Sequence, residues 1–364
     1  MLREKSAIKV ACCAGFWCTN IGNAFFELGV IHVLENMLGK RNVTIVSDLQ
    51  TYANGIGWRN YPIKNQLQYL SKLDVDYLVL MGPVISKYFL QLWESVLTEL
   101  AHKGIGYILL SAGMMKMTDK SHADCKAFFE KNPPFALVSR DLETYMTFGQ
   151  YALHAYNGIC FSYFAPDYYA PCSLVTDSPY WTLNFDKIPE PYIQAGRGKA
   201  NNRAFNYKDE WYSVQTGGGI GAVSKKTDRF TDALIYVSSL FPQPKRPNQI
   251  GKYNVIRTDH RFYPHFRSKI YSRPRSFCAD IPYGYLNLYA NTDCTFSDRV
   301  HACAVTLAFG HSAMFFAATS RDGLLSRIGV KDIHSRPVCA DMAYLNEEKR
   351  KMTDWLDNII KADK

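Results

Sequence analysis

The sequence predicts an α/β protein built from two halves that face one cleft. Short apolar runs recur along the chain without alternating polar residues, which is typical of parallel strands covered on both faces. Helical patterns separate these runs, and this alternation indicates a parallel sheet wrapped by helices. A segment rich in turn-forming residues, 166–179, divides the elements into two series, and 364 residues are enough for two domains of ordinary size.

The first series contains predicted strands at 8–14, 43–47, 76–82, 105–112 and 135–139, each an apolar run. A further strand at 161–164 is expected to close the sheet. Helical patterns lie between the strands at 23–38, 86–103, 121–131 and 141–149. Asp141 is a suitable N-cap for the last of these helices, because its carboxylate can accept a first-turn N–H group.

The second series follows the same alternation with longer interruptions. Its predicted strands are 180–185, 253–257, 294–296 and 313–317, and its predicted helices are 227–240, 283–290, 298–309, 322–328 and the charged amphipathic segment 341–362. Two segments, 194–221 and 257–276, are interpreted as irregular and are expected near a ligand. The predicted domains are 1–170 and 176–340, followed by a C-terminal helix at 341–364.

Composition and charge exclude several classes of protein. Hydrophobic residues make up 47% and charged residues 21% of the chain, which excludes a disordered or low-complexity protein. The formal net charge of +9 suits an anionic ligand or an anionic membrane surface. No apolar stretch approaches the ~18 residues of a membrane span. The ten cysteines show neither CxxC nor zinc-ligand spacing, so we expect reduced thiols, no metal and a cytoplasmic protein, at most peripheral to a membrane.

A loop with a glycine near each end joins the first predicted strand to the first predicted helix. Gly15 and Gly22 allow the backbone to turn tightly and approach a ligand, and the helix N-terminus behind them offers N–H groups to an anion. Asn20 and Asn23 lie in the same loop, and Asn23 is able to cap the helix. The loop does not match dinucleotide-binding or Walker patterns, and an ordinary strand–helix turn is the alternative interpretation.

The segment Ser297-Asp298-Arg299-Val300-His301 begins a predicted helix. Capping by Ser297 or Asp298 would place Arg299 and His301 in the first turn, near the positive end of the helix dipole. A guanidinium there matches phosphate or carboxylate, and an imidazole is a candidate proton donor or acceptor. The alternative is a capping aspartate beside a solvated arginine and a packed histidine.

A basic segment, 257–275, contains five arginines, one lysine and two histidines against one aspartate. Its interleaved aromatic residues would suit single-stranded nucleic acid, but no nucleic-acid-binding motif accompanies them. The preferred interpretation is an anion-binding or membrane-facing lid in which Arg257 and His260 approach the ligand. A solvated loop is the alternative.

Two further segments are less specific. The glycine-rich run 216–221, followed by Lys225 and Lys226, is interpreted as a surface loop, with a phosphate-binding loop as the alternative. Arg140 follows a predicted strand at the edge expected to face the cleft, where it would bind a ligand or pair with a carboxylate. GxSxG and HExxH motifs are absent from the sequence, so the familiar hydrolase chemistries are unsupported.

Taken together, these segments resemble the polysaccharide pyruvyl transferase family. The resemblance rests on residues 10–29, on Ser139-Arg140-Asp141, on 297–310 (SDRVHACAVTLAFG) and on 320–330, in order along most of the chain. It implies two Rossmann-like domains in the arrangement called GT-B, with the last helix crossing back to the first domain. It also implies transfer of pyruvate from phosphoenolpyruvate to two hydroxyls of one sugar, which gives a cyclic ketal.

The resemblance also implies roles for individual residues. Arg299 and His301 match the family's Arg-x-His active-site pair, Arg140 matches its Arg-Asp step, and Arg321 lies near a basic residue that members carry. The first domain would bind the acceptor, a cell-surface or secreted glycan or a lipid-linked precursor, and the second would bind phosphoenolpyruvate without a cofactor. Asn23 is a departure, because relatives often carry aspartate there.

The chemistry of the donor gives these residues a common purpose. Phosphoenolpyruvate carries a phosphate and a carboxylate, which Arg299 would bind with help from Arg140 or Arg321, while His301 would move protons. The predicted substrate site also contains Asn20, Gly22, Asn23, Ser297, Arg257 and His260. Two alternatives stay open: a GT-B glycosyltransferase that uses a nucleotide sugar, for which no convincing ribose-binding acidic motif is found, and a catalytically silent glycan-binding relative.

Overall fold

The computed structural model describes residues 7–15, 17, 20–47, 67–115, 117–186, 188, 190–198, 203–215, 246–260, 275–317 and 322–363. Within these ranges the chain forms two parallel sheets flanked by helices, which confirms the predicted α/β class. Three predicted segments lie outside the described residues: the helix at 227–240, the glycine-rich run at 216–221, and residues 261–274 of the lid predicted at 257–275. The domain boundaries drawn from the sequence stay a prediction.

The first sheet consists of β1 (Val10–Ala14), β2 (Val43–Ser47), β3 (Tyr77–Met81), β4 (Gly106–Ala112), β5 (Ala136–Ser139) and β6 (His154–Asn157). All neighbours are parallel, in the order β2-β1-β3-β4-β5-β6. Every residue of β1, β3 and β5 is buried, because helices cover both faces of the sheet. The strand order reverses beside β1, so its carboxyl end lies at the switch point where such sheets bind ligands.

Within the described ranges, five α-helices accompany this sheet: α1 (Gly22–Leu38), α2 (Phe89–His102), α3 (Asp119–Lys131), α4 (Leu142–Phe148) and α5 (Ala165–Tyr168). The predicted cap of α4 is confirmed, since Asp141 Oδ1 accepts the N–H of Thr144 over 2.8 Å. Helix α1 packs its apolar residues on one face of the sheet, whereas α2 and α3 pack on the other. The first turn of α1 is thereby fixed at the carboxyl edge of the sheet.

The sheet ends differently from the sequence prediction. Phe161–Phe164 forms a buried 3-10 helix rather than a strand, and β6 occupies the edge of the sheet instead. The residues of β6 are exposed or half-buried, so no apolar run marks this strand. The 3-10 helix packs against α1 at Gly29, where a Cβ would lie 2.1 Å from the carbonyl oxygen of Phe161. Packing between helices therefore buries the aromatic residues that suggested a strand.

The second half contains nine strands: β7 (Tyr180–Asn184), β8 (Tyr192–Ala195), β9 (Arg203–Tyr207), β10 (Glu210–Gln215), β11 (Gln249–Ile250), β12 (Tyr253–Thr258), β13 (Ser276–Phe277), β14 (Cys294–Ser297) and β15 (Ser312–Phe315) within the described ranges. The main sheet has the order β11-β12-β7-β14-β15, with β13 beside β12. Only β11 is antiparallel in this sheet. The carboxyl ends of β12, β7 and β14 therefore lie side by side.

The segment 194–221, predicted to be irregular, contains part of a third sheet, which is antiparallel and has the order β8-β10-β9. The register pairs Tyr212 with both Ala195 and Phe205. The apolar side chains of Phe205 and Tyr207 in β9 and of Tyr212 and Val214 in β10 join one buried cluster, and the Tyr212 ring packs 4.8 Å from that of Trp181 in β7. Apolar residues thus occupy every second position in these strands, which therefore lack the continuous apolar runs on which the prediction depended.

In the described part of the second half there are four α-helices: α6 (Tyr283–Asn291), α7 (Val300–Ala308), α8 (Asp322–Ser326) and α9 (Met342–Ala362). Helix α9 returns to the first sheet, as predicted: Trp355 packs 5.1 Å from the ring of Tyr156 in β6, and Asp363 accepts a hydrogen bond from Tyr77 in β3. Helix α7 packs on α1 and on the 3-10 helix, so both halves share one apolar core. None of the described helices is long and apolar enough to cross a membrane.

Candidate functional site

The start of α1 meets the carboxyl edge of the second sheet. The N–H of Ile21 donates to the carbonyl oxygen of His260 over 2.8 Å, which joins the opening loop to the end of β12. A Cβ on Gly22 would lie 3.1 Å from Nδ1 of His260 and 3.3 Å from Cβ of His301. A Cβ at these distances would press on both histidines, which would have to shift by a few tenths of an ångström, so glycine permits this close approach. Gly22, His260 and His301, all predicted from the sequence, thus come together at one junction.

The opening loop is held by groups that differ from the predicted cap. Asn20 Oδ1 accepts the N–H of Gly22 over 3.3 Å, and its amide nitrogen donates to Asn23 over 3.4 Å. Asn23 therefore lies inside the first turn of α1 and is not its N-cap, a position taken by Ile21. Gly15 donates its N–H to the buried carboxylate of Glu27 over 3.0 Å. Glu27 was missed, although an acidic residue within an apolar helix is a recognisable signal.

Arg299 occupies the turn between β14 and α7. Helix α7 begins one residue later than Arg299, so this arginine is the N-cap residue and lies outside the first turn. Neither Ser297 nor Asp298 caps the helix, contrary to the sequence prediction. Ser297 Oγ accepts the N–H of Arg299 over 2.8 Å, while the Asp298 carboxylate accepts the N–H of Ile188 over 2.7 Å. Asp298 is thus used to hold the loop that follows β7.

A buried acid orients the Arg299 side chain. Nε of Arg299 donates to Oδ1 of Asp186, and the two side chains are 6% and 3% exposed. Nη2 of Arg299 is also buried and has no hydrogen-bond partner among the described residues. A guanidinium in this state matches an added phosphate or carboxylate oxygen. Asp186 was not predicted, but its place after a strand that neighbours β14 is the signal that would have found it.

His260 is a neutral imidazole at neutral pH. Burial lowers the pKa of His260 to about 3; nearby Asp186 opposes this shift and the Arg299 charge adds to it. Nε2 of His260 lies 2.5 Å from the hydroxyl of Tyr289, a contact that the sequence did not suggest. Nδ1 is buried without a partner in the described part of the chain, on the side of Gly22. His260 therefore presents one unused ring nitrogen to the junction.

His301 lies in the first turn of α7 and is 4% exposed. Its ring centroid is 5.3 Å from that of Phe26 in α1, so the imidazole packs against the first half of the molecule. Nε2 of His301 lies 3.9 Å from Sγ of Cys160, another residue that the sequence did not single out. The imidazole thus spans the two halves and is confined by side chains from the first.

Arg140 follows β5 and also lies beside the Phe26 ring. Its guanidinium carbon is 5.9 Å from that ring's centroid, and the residue is only 4% exposed. A Cβ on Gly113 would lie 2.6 Å from Nε of Arg140, so glycine leaves the space that the guanidinium fills. Nη1 is buried without a hydrogen-bond partner, and no described carboxylate pairs with this side chain. Arg140 and His301 therefore contact one ring between them.

Two predicted residues fall outside this cluster. The Arg257 guanidinium donates from Nε and Nη2 to the two carboxylate oxygens of Glu190, each over 2.9 Å, and from Nη2 to the carbonyl oxygen of Pro247 over 2.8 Å. Because these partners already use its donors, we leave Arg257 out of the candidate site. Arg321 lies outside the described residues. Within the described ranges, no group of three or more His, Cys, Asp or Glu side chains is arranged to hold a metal ion.

The described geometry suits a small anion with more than one acidic group. Two buried guanidiniums each retain an N–H without a partner among described residues, one in each half of the molecule. Such donors are shielded from water, which strengthens their hydrogen bonds to an anion. The buried imidazoles of His260 and His301 meet at Gly22 in the same part of the molecule. His260 is neutral and can hydrogen-bond a ligand, while an imidazole such as that of His301 can carry a proton. The site can therefore bind an acidic ligand and move protons on or beside it.

No protein-family model matches the chain, and no curated protein matches it. Solved structures do. A putative UDP-N-acetylglucosamine 2-epimerase from Listeria monocytogenes is 8% identical with a TM-score of 0.51, covering 96% of this chain and 88% of its own. The S. aureus MnaA–UDP co-structure is 9% identical, covers 95% and 88%, and has a TM-score of 0.48. The UDP-N-acetylglucosamine 2-epimerase from Rickettsia bellii is 11% identical with a TM-score of 0.48, covering 98% of this chain and 96% of its own.

These identities are low, so the likeness concerns the path of the chain and not the chemistry of the site. The Listeria structure extends over nearly the whole length of this chain, and therefore over both sheets and the returning helix α9. The protein accordingly has two Rossmann-like domains in the GT-B arrangement, with its C-terminal helix packed against the first domain.

Proposed function

We propose that the protein is a pyruvyl transferase, which moves pyruvate from phosphoenolpyruvate onto two hydroxyls of a sugar in a glycan or lipid-linked acceptor. The observation that carries this proposal is the pair of buried guanidiniums, Arg299 and Arg140, each with an unpartnered N–H among the described residues. Phosphoenolpyruvate offers two anionic groups, and each guanidinium matches one of them. The resemblance of 297–310 to the pyruvyl transferase family supports the same choice.

The side chains of the junction also provide for the proton transfers. In the proposed reaction one sugar oxygen bonds to C2 of phosphoenolpyruvate while C3 gains a proton, and the second oxygen then displaces phosphate at C2. The two hydroxyl protons are thereby transferred, one to C3 and one to the departing phosphate. We assign the transfer at C3 to His301, and the buried arginines stabilise the departing phosphate. His260 stays neutral and holds the ligand through Nδ1.

Binding of the donor is tested by thermal unfolding with phosphoenolpyruvate, inorganic phosphate, pyruvate, UDP and UDP-N-acetylglucosamine. A ligand at 100 times its Kd stabilises the native state by about 2.7 kcal/mol. We expect phosphoenolpyruvate to raise the melting temperature more than phosphate and pyruvate supplied together. If the melting temperature stayed unchanged with phosphoenolpyruvate and with phosphate, the proposal would be contradicted.

Transfer itself is tested by mass spectrometry on a panel of sugars. The expected product has the mass of the sugar plus pyruvate minus one water. The variant His301→Gln should still be stabilised by phosphoenolpyruvate, since it retains both arginines, but should form no product. Product formation at the wild-type rate in this variant would remove His301 from the mechanism. We place the reaction in the cytoplasm, at most at the membrane surface, where the free cysteines stay reduced.

A second candidate is an enzyme that acts on a nucleotide sugar. The solved structures favour it, because the Listeria protein that shares the fold is named as a putative UDP-N-acetylglucosamine 2-epimerase. Such a substrate also carries phosphates that Arg299 and Arg140 would suit. The thermal measurement separates the candidates: selective stabilisation by UDP or UDP-N-acetylglucosamine would place this second function first.

A further inference from the structure

A buried thiol contacts the imidazole to which we assign proton transfer. Sγ of Cys160 lies 3.9 Å from Nε2 of His301, and Cys160 is fully buried. Cys160 immediately precedes the 3-10 helix of the first half, whereas His301 belongs to α7 of the second. The contact therefore crosses the junction between the halves, at a residue that the proposed reaction does not itself use.

Two serine hydroxyls complete the surroundings of this thiol. Ser162 Oγ donates to Sγ of Cys160 over 3.2 Å, and Ser111 Oγ lies 3.4 Å from the same sulfur. Ser111 Oγ accepts the N–H of Phe161 over 3.3 Å, which leaves the serine's own hydrogen for the sulfur. Ser111 also has φ of 54°, an uncommon conformation for a serine. Because Ser162 donates to the sulfur and Ser111 Oγ already accepts one N–H, we assign the thiol hydrogen to the imidazole.

We propose that Cys160 is a positioning residue whose S–H donates to Nε2 of His301 and so keeps the proton of the neutral ring on Nδ1. In a neutral imidazole one nitrogen carries the proton, and the partner of the other nitrogen decides which. The Phe26 ring, 5.3 Å away, limits rotation of the imidazole that would exchange the two nitrogens. This inference rests on the proposed function, in which His301 supplies a proton to the substrate.

The consequence for the reaction is a ring that holds its proton on one defined nitrogen before substrate binds. When Nδ1 gives its proton to C3, the ring takes up in exchange the proton of the sugar hydroxyl that attacks C2, so the ring ends the step neutral. Without the thiol, part of the molecules would carry the proton on Nε2 and would have none at Nδ1 to give. Because Cys160 contacts the imidazole and not the anion-binding arginines, its loss should lower kcat and leave KM for phosphoenolpyruvate unchanged. If Cys160 had a purely structural role, its loss would instead lower the stability of the protein and would not affect kcat separately from KM.

The first test is nitrogen-15 NMR of histidine-labelled full-length protein without substrate, with His301→Gln used to assign the signals. We expect the Nδ1–H tautomer at His301 in the wild type and a mixture of tautomers in Cys160→Ala. Cys303→Ala is the matched control: Cys303 is equally buried and lies on α7, but its sulfur faces the carbonyl oxygen of Met314 at 3.9 Å. An Nε2–H tautomer in the wild type, or an unchanged spectrum in Cys160→Ala, would overturn the proposal.

The second test is kinetic and uses the same variants. We expect about a tenfold loss of kcat in Cys160→Ala and no change in Cys303→Ala. Equal loss in Cys160→Ala and Cys303→Ala would assign the thiol to packing alone. If phosphoenolpyruvate proves not to be a substrate, the NMR measurement still decides the role of Cys160, so the two proposals fail separately.

Discussion

Replacing Arg140 with methionine should stabilise the protein while weakening its binding of phosphoenolpyruvate. The Arg140 guanidinium is 4% exposed, and its Nη1 has no hydrogen-bond partner among the described residues. A buried polar group left without a partner costs about 1–3 kcal/mol. Its contact with the Phe26 ring, at 5.9 Å, offsets this cost by ~0.5–1 kcal/mol. Methionine fills a similar space without a charge, so we expect a net gain of about 1 kcal/mol.

Arg327 provides the matched comparison, because an acid compensates its charge. Nη2 of Arg327 lies 2.6 Å from Oε2 of Glu348, whose side chain is 8% exposed. Arg327→Met would leave this carboxylate largely buried, with Lys351 still beside it at 3.3 Å. Breaking a buried pair costs about 3–5 kcal/mol, and the remaining lysine reduces the expected loss to about 2 kcal/mol. The same substitution should therefore change stability in opposite directions at the two arginines.

Urea unfolding at fixed pH measures both effects, and thermal unfolding with phosphoenolpyruvate measures binding. We expect a higher urea midpoint and a melting temperature about 2 °C higher for Arg140→Met, with little further rise on adding phosphoenolpyruvate. Arg327→Met should unfold earlier and keep the full rise with ligand. If both variants were destabilised alike, the Arg140 guanidinium would have a compensating partner in the folded protein and the reasoning would be refuted.

Three further predictions concern the junction. Gly22→Ala should change the free energy of unfolding by less than about 1 kcal/mol, because alanine favours the helix. It should nevertheless reduce stabilisation by phosphoenolpyruvate, since its Cβ would press on His260 and His301. An undiminished rise in melting temperature with this ligand would contradict the prediction. The unfolded chain binds a proton at His260 between pH of about 6.5 and 3, so stability should fall as pH drops below ~6.5. His260→Gln should flatten this slope in urea titrations by up to ~1.4 kcal/mol per pH unit, and an unaltered slope would show that His260 is not buried as described. Asp186→Asn should lower the free energy of unfolding by about 3 kcal/mol, because it leaves Arg299 without its carboxylate. Adding Arg299→Met should restore part of that loss. Additive losses in the double variant would show that the pair is not coupled.

Most elements of the two parallel sheets follow from the sequence, because their strands are buried on both faces. Strands such as β3 and β5 are continuous apolar runs, and a run of this kind has few other stable environments. Strands buried on one face or lying at an edge gave no such signal. This is why β6 and the antiparallel sheet of β8, β9 and β10 were missed, and why Phe161–Phe164 was taken for a strand.

The site divides in the same way. The sequence singled out Arg140 because it follows a predicted strand, Arg299 because it lies at the start of a predicted helix, and His260 because it belongs to a basic segment. Their partners were not found, since Asp186 is 113 residues from Arg299, and Cys160 is 141 residues from His301. Side-chain type and strand position are local properties that a sequence displays directly. Which acid compensates a buried arginine, and which thiol meets an imidazole, depends on how two domains pack, and only the tertiary structure decides that.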